Sequence, residues 1–185
     1  MTNKLASTKS SKKVADFLEK NSLHKKDFAQ MIGVTLSYVY NLIDETIPFS
    51  TRSTTLERIA TVMDIDPESF EEYKIPQEPI LYDESVEYIK NTIRKKKISI
   101  VNFLKSFPRK KRVDIVDMLR GAYPLPIDFK ELIMIGKTLD MNTEDIYHIW
   151  ESRMKQVLET NGMNISNNAA LVNSMFECAR KYIEI

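Results

Sequence analysis

The chain is poor in the residues that build several common classes of protein. It holds one cysteine, Cys178, so neither a disulfide scaffold nor a multi-cysteine zinc module is available. It holds 4 glycines in 185 residues, which argues against β-barrels and against the Gly-rich loops that cradle phosphates. No apolar run approaches the roughly 20 residues that a bilayer span needs. Met1 to Lys13 is polar and basic without an apolar centre, so it does not read as a secretory signal. The expectation is a cytoplasmic protein with no membrane contact.

Catalytic chemistry is equally thin. His24 and His148 are the only histidines, and neither has a Ser or Cys nearby in an arrangement for nucleophilic attack. Glu71-Glu72 and Asp64-x-Asp66 read as solvated turns and caps rather than acid–base pairs. No metal-ligand spacing occurs. Cys178 falls on the last helix, a usual place for a structural thiol. Trp150, with Ile146 and Tyr147 nearby, reads as core rather than as a base-stacking platform. No enzyme, cofactor or metal is expected.

What is present is ordinary globular material, 43% hydrophobic and 29% charged, with a net charge of +1. That balance hides an asymmetry. Lys90, Arg94, Lys95, Lys96, Lys97, Lys105, Arg109, Lys110, Lys111 and Arg112 follow one another without an intervening Asp or Glu. Those ten positive charges leave −9 for the rest of the chain. A second basic group, Lys9, Lys12, Lys13, Lys20, Lys25 and Lys26, is opposed only by Asp16 and Glu19. Charge runs often do no more than solvate a helix face. Two such zones on a near-neutral chain also suit a polyanion.

The pattern is helical throughout. Residues 1–10 read as a flexible basic arm. Val14, Phe17 and Leu18 mark a first amphipathic helix. A second runs from His24 to Ile32 with Phe28, Ala29 and Ile32 inward, and Gly33 supplies the left-handed residue that ends it. A third runs from Thr35, its N-cap, to Asp44, with Val39, Leu42 and Ile43 inward. Ser53 caps a fourth, whose inward set is Leu56, Ile59, Ala60 and Met63. Asp66-Pro67-Glu68 opens a short fifth with proline at its first position. Residues 75–82, bearing Pro76 and Pro79, read as a linker.

The layout then recurs. Leu56-Glu-Arg-Ile59-Ala60 through Asp66-Pro-Glu68-Ser-Phe70 aligns with Leu132-Ile-Met-Ile135-Gly136 through Asn142-Thr-Glu144-Asp-Ile146 at an offset of 76 residues. Leu23 and Phe28 meet Ile98 and Phe103 at an offset of 75. The offset and the cap chemistry agree, which favours a tandem repeat over two unrelated bundles. The segments are then an 11–74 unit, the linker, a divergent 83–160 unit and a 161–185 C-terminal helix. On that helix Val172, Met175, Phe176, Ala179 and Ile183 form a heptad-like stripe, docked on its own core or on a second copy.

One stretch carries a specific physical logic. Ala29 is small enough for a close helix crossing, Gly33 makes the tight turn, and Val34 fills the corner. Val39 and Leu42 then hold the next helix by one face and leave its other face free for a major groove. With Thr54-Thr-Leu56-Glu-Arg-Ile59-Ala60 and Asp64-Ile65-Asp66-Pro67, the region Val14–Tyr73 resembles the Cro and phage-repressor (xenobiotic-response-element) helix-turn-helix family. The implied fold is all-α, two tandem repressor-like five-helix bundles plus the C-terminal helix. The implied function is sequence-specific double-stranded DNA binding by a transcriptional regulator, a repressor at an operator.

By position, the resemblance places Thr35, Leu36, Ser37, Tyr38, Tyr40 and Asn41 on the groove-facing side. It places Lys25 and Lys26 where the family commonly has a Gln that braces phosphate and base. Arg52 and Ser53, after Thr51, fall in the loop that usually meets the backbone. Asn41 can read adenine and Ser37 either purine edge, while no Arg on the helix can read guanine. The second unit departs from the pattern: Phe107-Pro108-Arg109-Lys110 replaces Gly33-Val34-Thr35, and Leu104 stands where Ala29 stood. Its third helix nevertheless opens with Arg109, Lys110, Lys111 and Arg112, suited to phosphates. Three roles stay open for it: second DNA module, backbone clamp, or dimerisation unit.

If both units bind, one chain spans half-sites about 34 Å apart. If only the first binds, a homodimer through the second unit or the C-terminal helix is required. A helical protein-interaction adaptor with a degenerate DNA-binding module is the rival reading, and general polyanion or RNA binding a third.

Overall fold

The computed structural model describes residues 7–49, 51–74, 83–122 and 129–183. The 75–82 linker and most of the 1–10 arm lie outside them. Among the described residues the chain is all-helical: α1 (Ser7–Lys20), α2 (Lys25–Ile32), α3 (Leu36–Ile43), α4 (Ser53–Met63), α5 (Glu84–Lys95), α6 (Ile100–Lys105), α7 (Arg112–Leu119), α8 (Phe129–Thr138), α9 (Thr143–Thr160) and α10 (Ala169–Ile183). Single 3-10 turns lie at Pro67–Ser69 and Arg109–Lys111. The first helix starts at Ser7, so the end of the expected arm is helical, and the fifth helix of the first unit is one 3-10 turn.

Helix ends follow cap chemistry. The Thr35 hydroxyl accepts from the Tyr38 N–H at 3.2 Å, and Asp66 and Asn142 accept from Glu68 and Asp145 at 2.8 and 2.7 Å. Gly33 takes φ 71°, and the left-handed turn lets the Val34 N–H return to the Ala29 carbonyl at 2.9 Å. Ser53 differs from expectation. Arg52 occupies the cap position, and the Ser53 hydroxyl instead donates to the Lys74 carbonyl at 3.0 Å.

Starts of α2, α3, α4 and the Pro67 turn recur in α6, α7, α8 and α9 at offsets of 75, 76, 76 and 76 residues. The four non-glycine residues with positive φ pair the same way. Ser22 (46°) matches Lys97 (53°) at 75, and Asp64 (55°) matches Asp140 (48°) at 76. L-residues in this region are uncommon, so their recurrence is a local-structure signature independent of the hydrophobic pattern.

The compact units do not follow the sequence segments. Unit 1 joins Met1–Leu81 to Lys97–Tyr123, and unit 2 joins Tyr82–Lys96 to Pro124–Ile185. Helices α6 and α7 of the expected 83–160 bundle thus belong to unit 1. In unit 1, α2 packs on α3 and α4, and α7 packs on both α2 and α4. Val14, Phe28, Ile32, Val39, Leu56, Ile59 and Phe103 are buried at its centre. In unit 2, α5 and α8 pack on α9, burying Ile89, Ile93, Ile135, Leu139 and Ile146. Trp150, read as core, is half-buried, its ring 5.6–6.4 Å from those of Phe176, Tyr147 and Phe129. Val172 and Phe176 hold α10 by one stripe, while Met175 and Cys178 are exposed, so the thiol is not a packed structural one.

Candidate nucleic-acid interface

The site is built by a short turn between two eight-residue helices. Ala29 is fully packed, which lets α3 cross close over α2. Gly33 is needed twice over. Its φ disfavours any side chain, and a Cβ there would lie 2.7 Å from Val113 Cγ2 and 3.0 Å from Arg58 Nη1. The turn is therefore walled by α4 and α7. Val39 and Leu42 bury the inner face of α3.

The outer face of α3 is open. Leu36 is 40% exposed and Tyr40 54%, with Ser37 and Asn41 exposed beside them. Spacings of one, three and four put these four residues on one helical face. Thr35 is exposed but holds its cap bond. Tyr38 lies off that face: half-buried, it donates its phenol O–H to Thr51 Oγ1 at 2.7 Å and ties α3 to the loop before α4. Arg52 in that loop is exposed and Ser53 half-buried.

The start of α2 supplies the charge. Lys26 is exposed, and Lys25 Nζ stands 5.3 Å from the centre of the Tyr40 ring, a cation–π contact linking α2 to the outer face of α3. Basic residues at a helix N-terminus oppose the macrodipole, typically by 0.3–1 kcal/mol each. On the far side of α2, Asp27 Oδ1 receives Arg112 Nη1 at 3.4 Å and Arg109 Nη2 at 3.7 Å. Arg109 and Lys110 remain exposed and Lys111 is half-buried.

Arg112 departs from the role expected of it. Only 8% exposed, it faces Asp27 and the carbonyls of Phe107 (3.2 Å) and Lys105 (3.5 Å), so it binds the end of α6 to α2 rather than facing solvent. The N-terminal lysines are also engaged. Lys13 donates to the Ser69 carbonyl at 2.6 Å beneath the Phe70 ring, and Lys9 lies 3.5 Å from Glu71. The long basic run is divided as well: Lys90–Lys96 lies in unit 2 and Lys97–Arg112 in unit 1.

A largely buried ion network, with Glu57 at its most enclosed end, secures α7. Arg58 of α4 donates through Nε and Nη2 to the two oxygens of Asp117, both at 2.7 Å, in a bidentate fork. Arg120 donates to Asp117 at 2.8 Å and pairs with Glu57, which also accepts from the Tyr73 hydroxyl at 3.2 Å. Burial raises the Asp117 pKa, but the hydrogen bonds from Arg58 and Arg120 outweigh it and leave the carboxyl below its ordinary value. None of Asp27, Glu57, Arg58, Asp117 or Arg120 stands out in sequence, because the contacts Arg58–Asp117, Glu57–Arg120 and Asp27–Arg112 join residues 59, 63 and 85 positions apart. The one local signal is the pair of acids, Asp114 and Asp117, set among the apolar residues that follow Arg112 in α7.

Comparison with known proteins identifies no relative: no family model, curated protein or solved structure matches the chain.

Proposed function

We propose that unit 1 is a double-stranded DNA-binding module of the repressor helix-turn-helix type, in a chain built from two copies of a five-helix unit, and that the protein represses transcription at an operator. The observation that carries this reading is the α2–Gly33–α3 turn holding α3 by Val39 and Leu42 with Leu36, Ser37, Tyr40 and Asn41 facing out. A helix held this way fits a major groove, with Asn41 able to take adenine through two hydrogen bonds. The two lysines at the dipole-opposed start of α2 fit a phosphate at the groove edge. The test is fluorescence anisotropy with a mixed-sequence duplex at about 50 and about 200 mM salt, where phosphate contacts change affinity by orders of magnitude. Tight binding that collapses with salt supports the reading. Absence of binding at the lower salt removes it and leaves the adaptor, for which exposed Leu36 and Tyr40 would be protein contacts.

One such module meets one half-site, so the reading calls for a dimer. Helix α10 supports one. Leu171 (56% exposed), Met175 (49%) and Cys178 fall at i, i+4 and i+7 beside the buried Val172–Phe176 stripe. No charged residue occurs from Asn161 through Phe176, in keeping with the charge-depleted centres of interfaces. Sedimentation at tens of micromolar should find a dimer that Leu171→Glu with Met175→Glu converts to monomer. A monomeric wild type would remove the two-half-site arrangement.

A further inference from the structure

The unit that carries α3 obtains its positive charge from elsewhere in the sequence. Residues 1–81 contain ten basic and twelve acidic side chains, net −2, whereas residues 97–123 contain seven basic and two acidic, net +5. Without the 97–123 segment, the helix-turn-helix part of unit 1 would be acidic, a poor match for a polyanion.

Besides the ion network on α4, the segment is anchored at the start of α2. Arg109 and Arg112 converge on Asp27 in the first turn of α2, two residues from Lys25, which contacts Tyr40 of α3. The start of α2 therefore stands between the outer face of α3 and the Arg109–Lys111 turn. That turn opens α7 with basic residues, so it too opposes a helix dipole. Of the two acids in the segment, Asp117 is paired to Arg58 and Arg120. Lys105, Arg109 and Lys110 are all exposed.

Helix α7 itself has no face for bases. Arg112, Ile115, Val116, Met118 and Leu119 are all buried, and the connection from α6 lengthens from the three residues between α2 and α3 to six, through a 3-10 turn. The Phe107-Pro108 turn has lost the groove-reading geometry, and α7 has become a packing element.

Resting on the DNA-binding reading above, we infer that the second copy's α6–α7 hairpin is a sequence-independent phosphate clamp, in which Arg109 and Lys110 grip the DNA backbone flanking the groove that α3 enters.

The test compares three full-length chains by anisotropy salt titration on several unrelated duplexes. They are wild type, Arg109→Gln with Lys110→Gln, and Arg94→Gln with Lys95→Gln. The last pair is exposed, belongs to the same basic run and removes the same charge, but lies in unit 2. The clamp variant should lose about tenfold in affinity on every duplex, and its salt slope should fall by about two, one for each phosphate contact removed. Its ranking of duplexes should not change, and thermal unfolding should confirm that it is folded. The unit 2 variant should keep nearly the wild-type slope. A clamp variant with the wild-type slope, or a unit 2 variant that loses as much, overturns the clamp while leaving DNA binding intact. A changed ranking makes Arg109 or Lys110 a base reader and overturns it too. A wild type that binds no duplex removes the clamp together with the reading beneath it.

Discussion

Replacing Arg120 with alanine should destabilise unit 1 by about 3–5 kcal/mol, the range for removing one partner of a buried ion pair. The reason lies in what is left behind. Glu57 is 3% exposed on α4 and would retain only the Tyr73 hydroxyl, so its carboxylate would stay desolvated without a counter-charge. Asp117 would lose one of two guanidinium partners at the same time. Against a total domain stability of about 5–15 kcal/mol, that loss threatens the docking of α7 altogether. Glu57→Leu with Arg120→Leu should regain most of it, because an apolar pair leaves no buried charge. If the double variant is no better than Arg120→Ala, the lost packing rather than the orphaned charge is responsible. Urea unfolding should be followed by far-UV circular dichroism, since the single tryptophan, Trp150, lies in unit 2.

The same network sets an acid limit. The folded-state pKa of Asp117 is depressed, so its contribution is fully present above its unfolded value of about 3.9 and disappears as pH falls through the folded one. Asp117→Asn should accordingly trail wild type by a constant margin at neutral and mildly acid pH. The margin should close below about pH 4.

Local features were legible in the sequence because their causes are local. The Thr35 cap and the left-handed Gly33 each depend on residues about one helical turn away. The allocation of α6 and α7 to unit 1 was not legible. Ile115, Val116 and Leu119 are buried, and nothing in the local sequence says which core receives them. Arg112 illustrates the difficulty. At the head of a basic helix it is indistinguishable from its neighbour Arg109, and only the fold reveals that one is buried against Asp27 while the other stays exposed. Arg58 reads as an ordinary surface residue of α4 until α7 brings Asp117 to it.

Ser37→Glu offers the sharpest separation between the DNA-binding reading and the adaptor, because its effects on folding and on binding have opposite signs. Ser37 is the second residue of α3, just after the Thr35 cap. A carboxylate there complements the helix dipole and should raise stability by roughly 0.3–1 kcal/mol. The side chain is exposed, so no packing is disturbed. In a groove walled by phosphates, the same charge meets repulsion without a partner and displaces the hydroxyl from the base edges. Affinity for an operator selected on wild-type protein should fall by about 100-fold or more, equivalent to about 2.8 kcal/mol. Asn41→Ala, by contrast, should cost only the roughly 1–3 kcal/mol of discrimination that a bidentate contact to adenine supplies, confined to one base pair. Thermal unfolding and operator titration of the same Ser37→Glu preparation read both effects. A variant that melts no lower than wild type yet no longer binds places α3 in the groove, since misfolding cannot account for the loss. A variant that binds as wild type does removes α3 as the reading element, and Leu36 and Tyr40 then remain as the contacts a protein partner would use.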